Sequence, residues 1–237
     1  METDLWENGA AWWQRNFTEG ADPEYEEQIL PMVEDYARGA QKVLDIGCGE
    51  GQVSRRLVGQ GAEVVGLDVT ESQIRLAYDR GGSRYLQGLA HQLPCRDAGF
   101  DTVVVCLAIE HVEPFEAAIE EIARVLIPGG RFLLLLVHPL LQSPGSGWVE
   151  VVDSDEHFWR VGSYLDDDIA TDQVGPGIHL PFIHRPLGRY VHEMGRHGLL
   201  IDDMVEPSPP PAIILETGGY PDAASIPRLL LLCARRS

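Results

Sequence analysis

The run Val43-Leu44-Asp45-Ile46-Gly47-Cys48-Gly49-Glu50-Gly51 constrains this chain more than any other stretch. Residues suited to a buried strand meet glycines at 47, 49 and 51, and helix-forming sequence follows at once from Gln52 to Gln60. A strand that turns directly into a helix needs backbone with φ > 0, which glycine adopts without strain. Missing Cβ atoms at Gly47 and Gly49, on either side of Cys48, leave the backbone open to close approach. The N-terminal N–H groups of the next helix point at whatever lies over the turn. The pattern predicts a strand–turn–helix cradle for a small molecule.

The residues around the glycines narrow the choice of ligand. A dinucleotide turn reads Gly-x-Gly-x-x-Gly, which places its third glycine at position 52. Here position 52 is Gln, and the third glycine comes one residue early. Asp45 stands two residues before the first glycine, where its charge repels a pyrophosphate and suits an ammonium group, directly or through water. The next apolar strand, Ala62 to Leu67, ends on Asp68, 21 residues after Gly47. A carboxylate at that place accepts both hydroxyls of a ribose. An amine together with an unphosphorylated ribose fits S-adenosylmethionine better than a nicotinamide dinucleotide.

Further along, strands and helices alternate. The spacing predicts helices over 4–17 and from Asp22 to Arg38, the second opened by Asp22-Pro23-Glu24. It predicts strands at 42–46, 62–67 and 83–87, with helices at 51–59 and from Thr70 or Ser72 to Gly81-Gly82 between them. A fully apolar strand from Phe100 to Leu107, a helix over 114–126 and a strand over 131–137 follow. The last elements are a helix over 186–197 and strands at 199–205 and 226–234. Such alternation predicts a doubly wound α/β fold. The stretch from His138 to Arg185 carries aromatic residues in no clean period, with short strands expected only at 149–152 and 158–161.

With Gly66-Leu67-Asp68-Val69-Thr70, Leu93-Pro94 before Gly99-Phe100-Asp101, and Ile122 to Gly130 (IARVLIPGG) in order after VLDIGCGEG, the chain resembles the class I S-adenosylmethionine-dependent methyltransferases, small-molecule (type 11) group. The resemblance is strong over Gln41 to His138 and looser elsewhere. It implies a Rossmann-like, seven-stranded, mostly parallel sheet whose last strand inserts antiparallel beside strand six. It also implies one domain in four parts: an N-terminal helical lid at 1–39, a cofactor-binding core at 40–138, a substrate-cap insertion at 139–185, and the last helix with strands six and seven at 186–237. Trp12, Trp13 and Phe17 serve either as lid residues or in packing on the sheet edge or a partner subunit, a homodimer being allowed. Asp45, Gly47 and the backbone around Cys106 would hold the methionine end of the cofactor and Asp68 the ribose. Val69, Leu89 and Ala90 would flank the adenine, and His111 would lie near the reacting end. Leu89 stands where the family usually has an acidic contact to adenine.

Transfer of a methyl group to a hydroxyl requires a proton acceptor, and histidine suits that task near neutral pH. His138, at the exit of strand five, and His184, before the last helix, are the catalytic candidates, with Glu110, His111 and Tyr164 as further substrate-side groups. The expected activity is methyl transfer to a small-molecule acceptor at a hydroxyl oxygen, with nitrogen and carbon open. The alternative is a protein that binds the cofactor or S-adenosylhomocysteine without transferring a methyl.

Composition removes other classes. Eighteen basic against 37 acidic residues give a charge of −19, unfavourable for a nucleic-acid backbone. Cys48, Cys95, Cys106 and Cys233 lack zinc-ligand spacing, and Asp166-Asp167-Asp168 reads as a solvated acidic turn, so no metal is expected. The residues Met1-Glu2-Thr3-Asp4 lack the basic and apolar parts of a secretion signal, and the most apolar stretch, Ile127 to Leu141, is too short and too interrupted to span a bilayer. A cytoplasmic protein is expected.

Overall fold

The computed structural model describes residues 2–153, 156–216 and 221–237. The chain begins with helix α1 (Glu2–Phe17), a π-helical turn (Tyr25–Ile29) and α2 (Leu30–Tyr36). There follow β1 (Lys42–Ile46), α3 (Gln52–Gly59), β2 (Glu63–Asp68), α4 (Glu71–Arg80) and β3 (Arg84–Gln87). Then come β4 (Phe100–Cys106), a 3₁₀ turn (Ile109–His111), α5 (Phe115–Val125) and β5 (Leu126–Val137). Helix α6 (Pro139–Gln142), β6 (Gly147–Glu150), β7 (His157–Arg160), β8 (Asp168–Gly175) and β9 (Ile178–His184) occupy the expected insertion. The chain ends with α7 (Leu187–Arg196), β10 (Leu199–Val205), α8 (Pro211–Glu216) and β11 (Leu229–Arg236).

Seven strands form one sheet in the order β10-β11-β5-β4-β1-β2-β3. All pairs are parallel except those of β11, which lies antiparallel between β5 and β10. Period-2 alternation divides each apolar run between the two faces. Leu44, Val103, Val105, Leu134 and Leu232 face α5 and α7. Val43, Val104, Leu133 and Leu231 face α2 and α3. These nine side chains are at most 2% exposed, so the runs read as core on both sides.

Three stretches differ from the sequence expectation. The second helix starts as a π-helix, the Leu30 N–H bonding the Tyr25 carbonyl five residues back. Pro31 is the cause we assign, because its ring crowds the carbonyl four residues before it and it has no N–H for the ladder. Strand β5 begins at Leu126, which pairs with Phe100 before the register breaks and resumes at Thr102 and Arg131. Residues Ile127 to Gly130 therefore loop out inside the strand. The insertion holds two antiparallel hairpins, β6–β7 near the expected short strands and β8–β9 where none was expected. Pro181 in β9 is tolerated because that strand pairs on one side only. Among the described residues no helix is long and apolar enough to cross a membrane.

At the carboxyl edge of the sheet, Arg185 fixes the loop after β4. It is buried, donates from Nη1 to the Ile109 carbonyl (3.3 Å) and from Nη2 to that of Val112 (2.6 Å), and lies 4.8 Å over the Phe115 ring. Hydrogen bonds from a charged donor are each worth about 1.5–3 kcal/mol. The substitution Arg185→Leu strands two carbonyls and is expected to cost about 3 kcal/mol, lowering the thermal midpoint by roughly 10 °C in a calorimetric scan.

Candidate cofactor and acceptor site

The glycine turn is held by its neighbours before any ligand arrives. Gly47 N–H (2.7 Å) and Cys48 N–H (3.0 Å) both donate to the Leu67 carbonyl at the end of β2. Gly49 N–H donates to Asp68 Oδ2 (2.9 Å), and Thr70 N–H to Asp68 Oδ1 (2.8 Å). The glycines answer different needs. A Cβ on Gly47 (φ +73) would lie 2.3 Å from the Ala108 Cβ, and one on Gly51 (φ +86) 2.4 Å from the Tyr85 hydroxyl. At Gly49 (φ +53) the space is open, so there the backbone itself faces the cavity.

Two carboxylates stand beside the turn. Asp45 is 1% exposed, and the Ser54 hydroxyl of α3 donates to its Oδ2 (2.6 Å). Burial pushes its pKa up to about 7, with the nearby Asp68 charge adding to the effect and the Ser54 bond opposing it. Burial also raises Asp68, against the opposing pull of its two backbone donors. A carboxylate offers about four lone-pair sites, so two remain on Asp68 for further donors.

The chain leaves β4 through Leu107, a non-glycine residue at φ +50 whose N–H donates to the Leu135 carbonyl (2.8 Å). Backbone of that kind is uncommon and clusters where a site demands it. The Ile109–His111 turn follows. Glu110 Oε1 accepts the Val137 N–H (2.7 Å), tying the exits of β4 and β5 together, and burial lifts this carboxyl to about 7. His111 Nδ1 lies 2.6 Å from the Pro181 carbonyl, an acceptor, so Nδ1 carries the hydrogen and Nε2 a lone pair. Its ring stands edge-on to Trp6 (4.6 Å between centroids) and to Phe182 (5.5 Å). Burial, with the Arg185 charge adding to it, holds the imidazole pKa at about 4, so the ring is neutral at physiological pH.

These groups surround one cavity of about 140 Å³. Asp45, Gly47, Cys48, Gly49, Asp68, Val69, Leu89, Ala90, Cys106 and His111, the ten residues singled out from sequence, all line it. His138 and His184 do not. His138 Nδ1 accepts the Leu140 N–H (3.1 Å) and caps α6, and its Nε2 lies 2.8 Å from Glu206 Oε1. His184 Nε2 donates to the Tyr164 carbonyl (2.8 Å), and the Tyr164 hydroxyl accepts the Leu187 N–H. Both histidines secure the ends of elements. Trp13 lines the cavity as well, whereas Trp12 packs on Gly175.

Sequence reasoning missed Trp6, Thr18, Tyr25 and Gln73 in the lining. No local signal marks them, because α1 reaches the site only through tertiary contacts. Gly9 is bare against Leu180 of β9, Glu7 accepts the Ser72 N–H, and Gln14 donates to Gln73 (2.8 Å). Among the described residues neither Lys nor Arg lines the cavity. A diphosphate would meet two carboxylates and, at Gly47, Cys48 and Gly49, N–H groups already spent, whereas an ammonium and a ribose find the acceptors they need. The residues present fit S-adenosylmethionine. Among the described residues no three His, Cys, Asp or Glu side chains group as a metal site.

Residues 44–134 match the family model described as a methyltransferase domain. An uncharacterised methyltransferase of Synechocystis is 38% identical over 112 residues, covering 46% of this chain and 53% of that protein. A ubiquinone/menaquinone biosynthesis C-methyltransferase of Yersinia enterocolitica is 36% identical over 116 residues, 44% of this chain and 46% of the other. The chain thus spans about half the length of the curated relatives it matches. The crystal structure of an S-adenosylmethionine-dependent methyltransferase from Mesorhizobium loti superposes with a TM-score of 0.75 at 27% identity, covering 87% of this chain and 96% of that one. A (4+2)-cyclase shares the fold alone, at TM-score 0.61 and 19% identity, over 89% of this chain and 80% of the other. Residues 44–134 thus match a methyltransferase domain, and strand order and superposition give the chain the fold of the S-adenosylmethionine-dependent methyltransferases.

Proposed function

We propose that this protein transfers the methyl group of S-adenosylmethionine to a hydroxyl oxygen of a small-molecule acceptor. The observation that carries this reading is a cavity with two buried carboxylates, an open glycine backbone and no lining cation. Asp45 Oδ1 takes the ammonium of the methionine moiety, whose chain lies along Gly47, Cys48, Gly49 and Cys106. Asp68 uses its two remaining lone-pair sites for the ribose hydroxyls. Val69, Leu89 and Ala90 border the adenine. The cofactor supplies an electrophilic methyl carbon on a positively charged sulfur.

The acceptor side falls to His111 in this reading, in place of His138 and His184, which lie outside the cavity lining. Its Nδ1–H is held by Pro181, which aims Nε2 as a neutral lone pair with no protein partner among the described residues. A base of low pKa still serves here, because the hydroxyl proton becomes strongly acidic as the oxygen gains the methyl. General-base assistance is worth about 10²–10⁴-fold. The aromatic side chains Trp6 and Trp13 favour a flat acceptor such as a phenol or quinol ring. The Yersinia relative is named for transfer to carbon, and a quinol ring offers both carbon and oxygen; the free Nε2 is our reason for choosing oxygen.

A second reading, cofactor binding without methyl transfer, rests on the cyclase that shares this fold. It is favoured if S-adenosylhomocysteine binds while a phenol and quinol panel yields no methylated product by mass spectrometry. Absence of S-adenosylhomocysteine binding in isothermal titration would remove both readings.

Three outcomes follow for that assay. Asp45 must be ionised to receive an ammonium, and its pKa of about 7 in the free site falls on binding. Affinity is therefore full above pH 7 and weakens toward tenfold per unit below it, with proton release, until the lowered pKa of the complex is reached; Asp45→Asn weakens binding and flattens the profile. The variant Gly47→Ala drives a Cβ into Ala108 at a positive φ and should lose at least about 100-fold in affinity, roughly 3 kcal/mol. The variant His111→Ala should keep S-adenosylhomocysteine affinity within about threefold while turnover falls by about 100-fold or more.

A further inference from the structure

The N-terminal segment contributes a buried polar group that the proposed roles have not used. Tyr25 is 7% exposed, lines the cavity, and has no hydrogen-bond partner for its hydroxyl among the described residues. Its ring is fixed by Trp13 (6.5 Å between centroids, 90° between planes) and Phe17 (6.2 Å). Its carbonyl anchors the π-helical turn through the Leu30 N–H, and such turns frequently occur at functional sites. A hydroxyl that has no protein acceptor and lines a cavity is placed to donate to a ligand.

The methionine moiety that Asp45 receives also carries a carboxylate, which needs a donor close by. Four donors at the turn are spent: Gly47 and Cys48 N–H on Leu67, Gly49 N–H on Asp68, and the Ser54 hydroxyl on Asp45 itself. At the exit of β4, the Leu107 N–H is spent on Leu135. Thr18, beside Tyr25 in the lining, gives its hydroxyl hydrogen to the Gln14 carbonyl. Burial holds the Tyr25 phenol well above its ordinary range, with negative charge at Cys106, Asp22, Glu110 and Asp45 adding to the effect. The group is thus a permanent donor, and its electrostatic neighbours include the acid expected to take the ammonium.

We propose that the Tyr25 hydroxyl donates to the carboxylate of the cofactor's methionine moiety, so that Asp45 and Tyr25 grip the two charged ends of one amino acid. The inference rests on the cofactor reading above. A single hydrogen bond to a charged group at this site corresponds to about tenfold in affinity.

The test compares S-adenosylhomocysteine with its decarboxylated analogue, which keeps the ammonium and loses the carboxylate, by isothermal titration against wild type and Tyr25→Phe. Wild type is expected to prefer S-adenosylhomocysteine over the analogue by about tenfold or more, and Tyr25→Phe to erase that preference by weakening S-adenosylhomocysteine binding alone. The thermal midpoint of unliganded Tyr25→Phe should equal or exceed that of wild type, since the deleted hydroxyl has no partner to lose; a purely structural role would lower it. Equal loss for both ligands, unchanged S-adenosylhomocysteine affinity in the variant, or no preference in wild type would each overturn the assignment. If wild type binds neither ligand, the cofactor reading fails first; if it binds S-adenosylhomocysteine and the variant binds equally well, only the role of Tyr25 fails.

Discussion

The contact between Gly47 and Ala108 sets the scale of the site. The loop leaving β1 and the loop leaving β4 meet there so closely that a single methyl group would separate them. The parallel register brings this about: Ile46 pairs with Leu67 on one side and Val105 on the other, so β1, β2 and β4 end at one level. Each strand then delivers one part of the cavity wall. From β1 come the turn and Asp45, from β2 comes Asp68, and from β4 comes the chain through Leu107 to His111. Had Gly47 carried a side chain, β4 would need another exit, and Leu107 would lose the N–H···O bond to Leu135 that holds its left-handed backbone in place.

Placing two carboxylates in such a site is electrostatically unfavourable, and their environments show how the cost is divided. Asp68 is stabilised in advance by two backbone N–H groups. Asp45 is met by Ser54 alone, and its carboxyl rises to about 7. A desolvated acid of that kind prefers to be neutral until a cation arrives. The asymmetry matches the chemistry each would meet: neutral hydroxyls of a ribose need a preset acceptor, whereas an ammonium brings the charge that ionises its own partner. Glu110, also buried, accepts the Val137 N–H at Oε1 and acts on the frame of the site.

Much of this was legible in the sequence, and the boundary is physical. Interactions local in the chain leave periodic traces. The strand–turn–helix at Gly47 to Gly51, the acid at the end of β2 and the apolar runs of β4 and β5 are of this kind, whereas the sheet topology was expected from the family resemblance. The two histidines chosen for proton transfer show where such reasoning stops. His138 and His184 have suitable chemistry and stand near the carboxyl edge, but neither lines the cavity: His138 is engaged at both ring nitrogens by Leu140 and Glu206, and His184 gives its Nε2 hydrogen to Tyr164. Nothing in the spacing reveals that His184 meets a carbonyl 20 residues away, or that His111 meets one 70 residues away in a hairpin the sequence does not announce. The π-helical turn is legible only in hindsight, through Pro31.

The same boundary separates cofactor from acceptor. The ten cofactor-side residues named from sequence all fall between positions 44 and 134, the stretch shared with other methyltransferase domains. The groups that close the cavity and orient His111 come from outside it. Trp6 and Trp13 lie on α1, and Pro181 and Phe182 on β9; Tyr25, on the π-helical turn, is the exception, proposed above for the cofactor. Similarity concentrated in the shared stretch carries information about the donor of the methyl group and little about its recipient. On the proposed reading, specificity would depend on how α1 and the β8–β9 hairpin meet across the carboxyl edge, where the bare Gly9 lies against Leu180. Relatives alike in the glycine turn but different at positions 9, 111 and 180 should share a cofactor and differ in what they methylate.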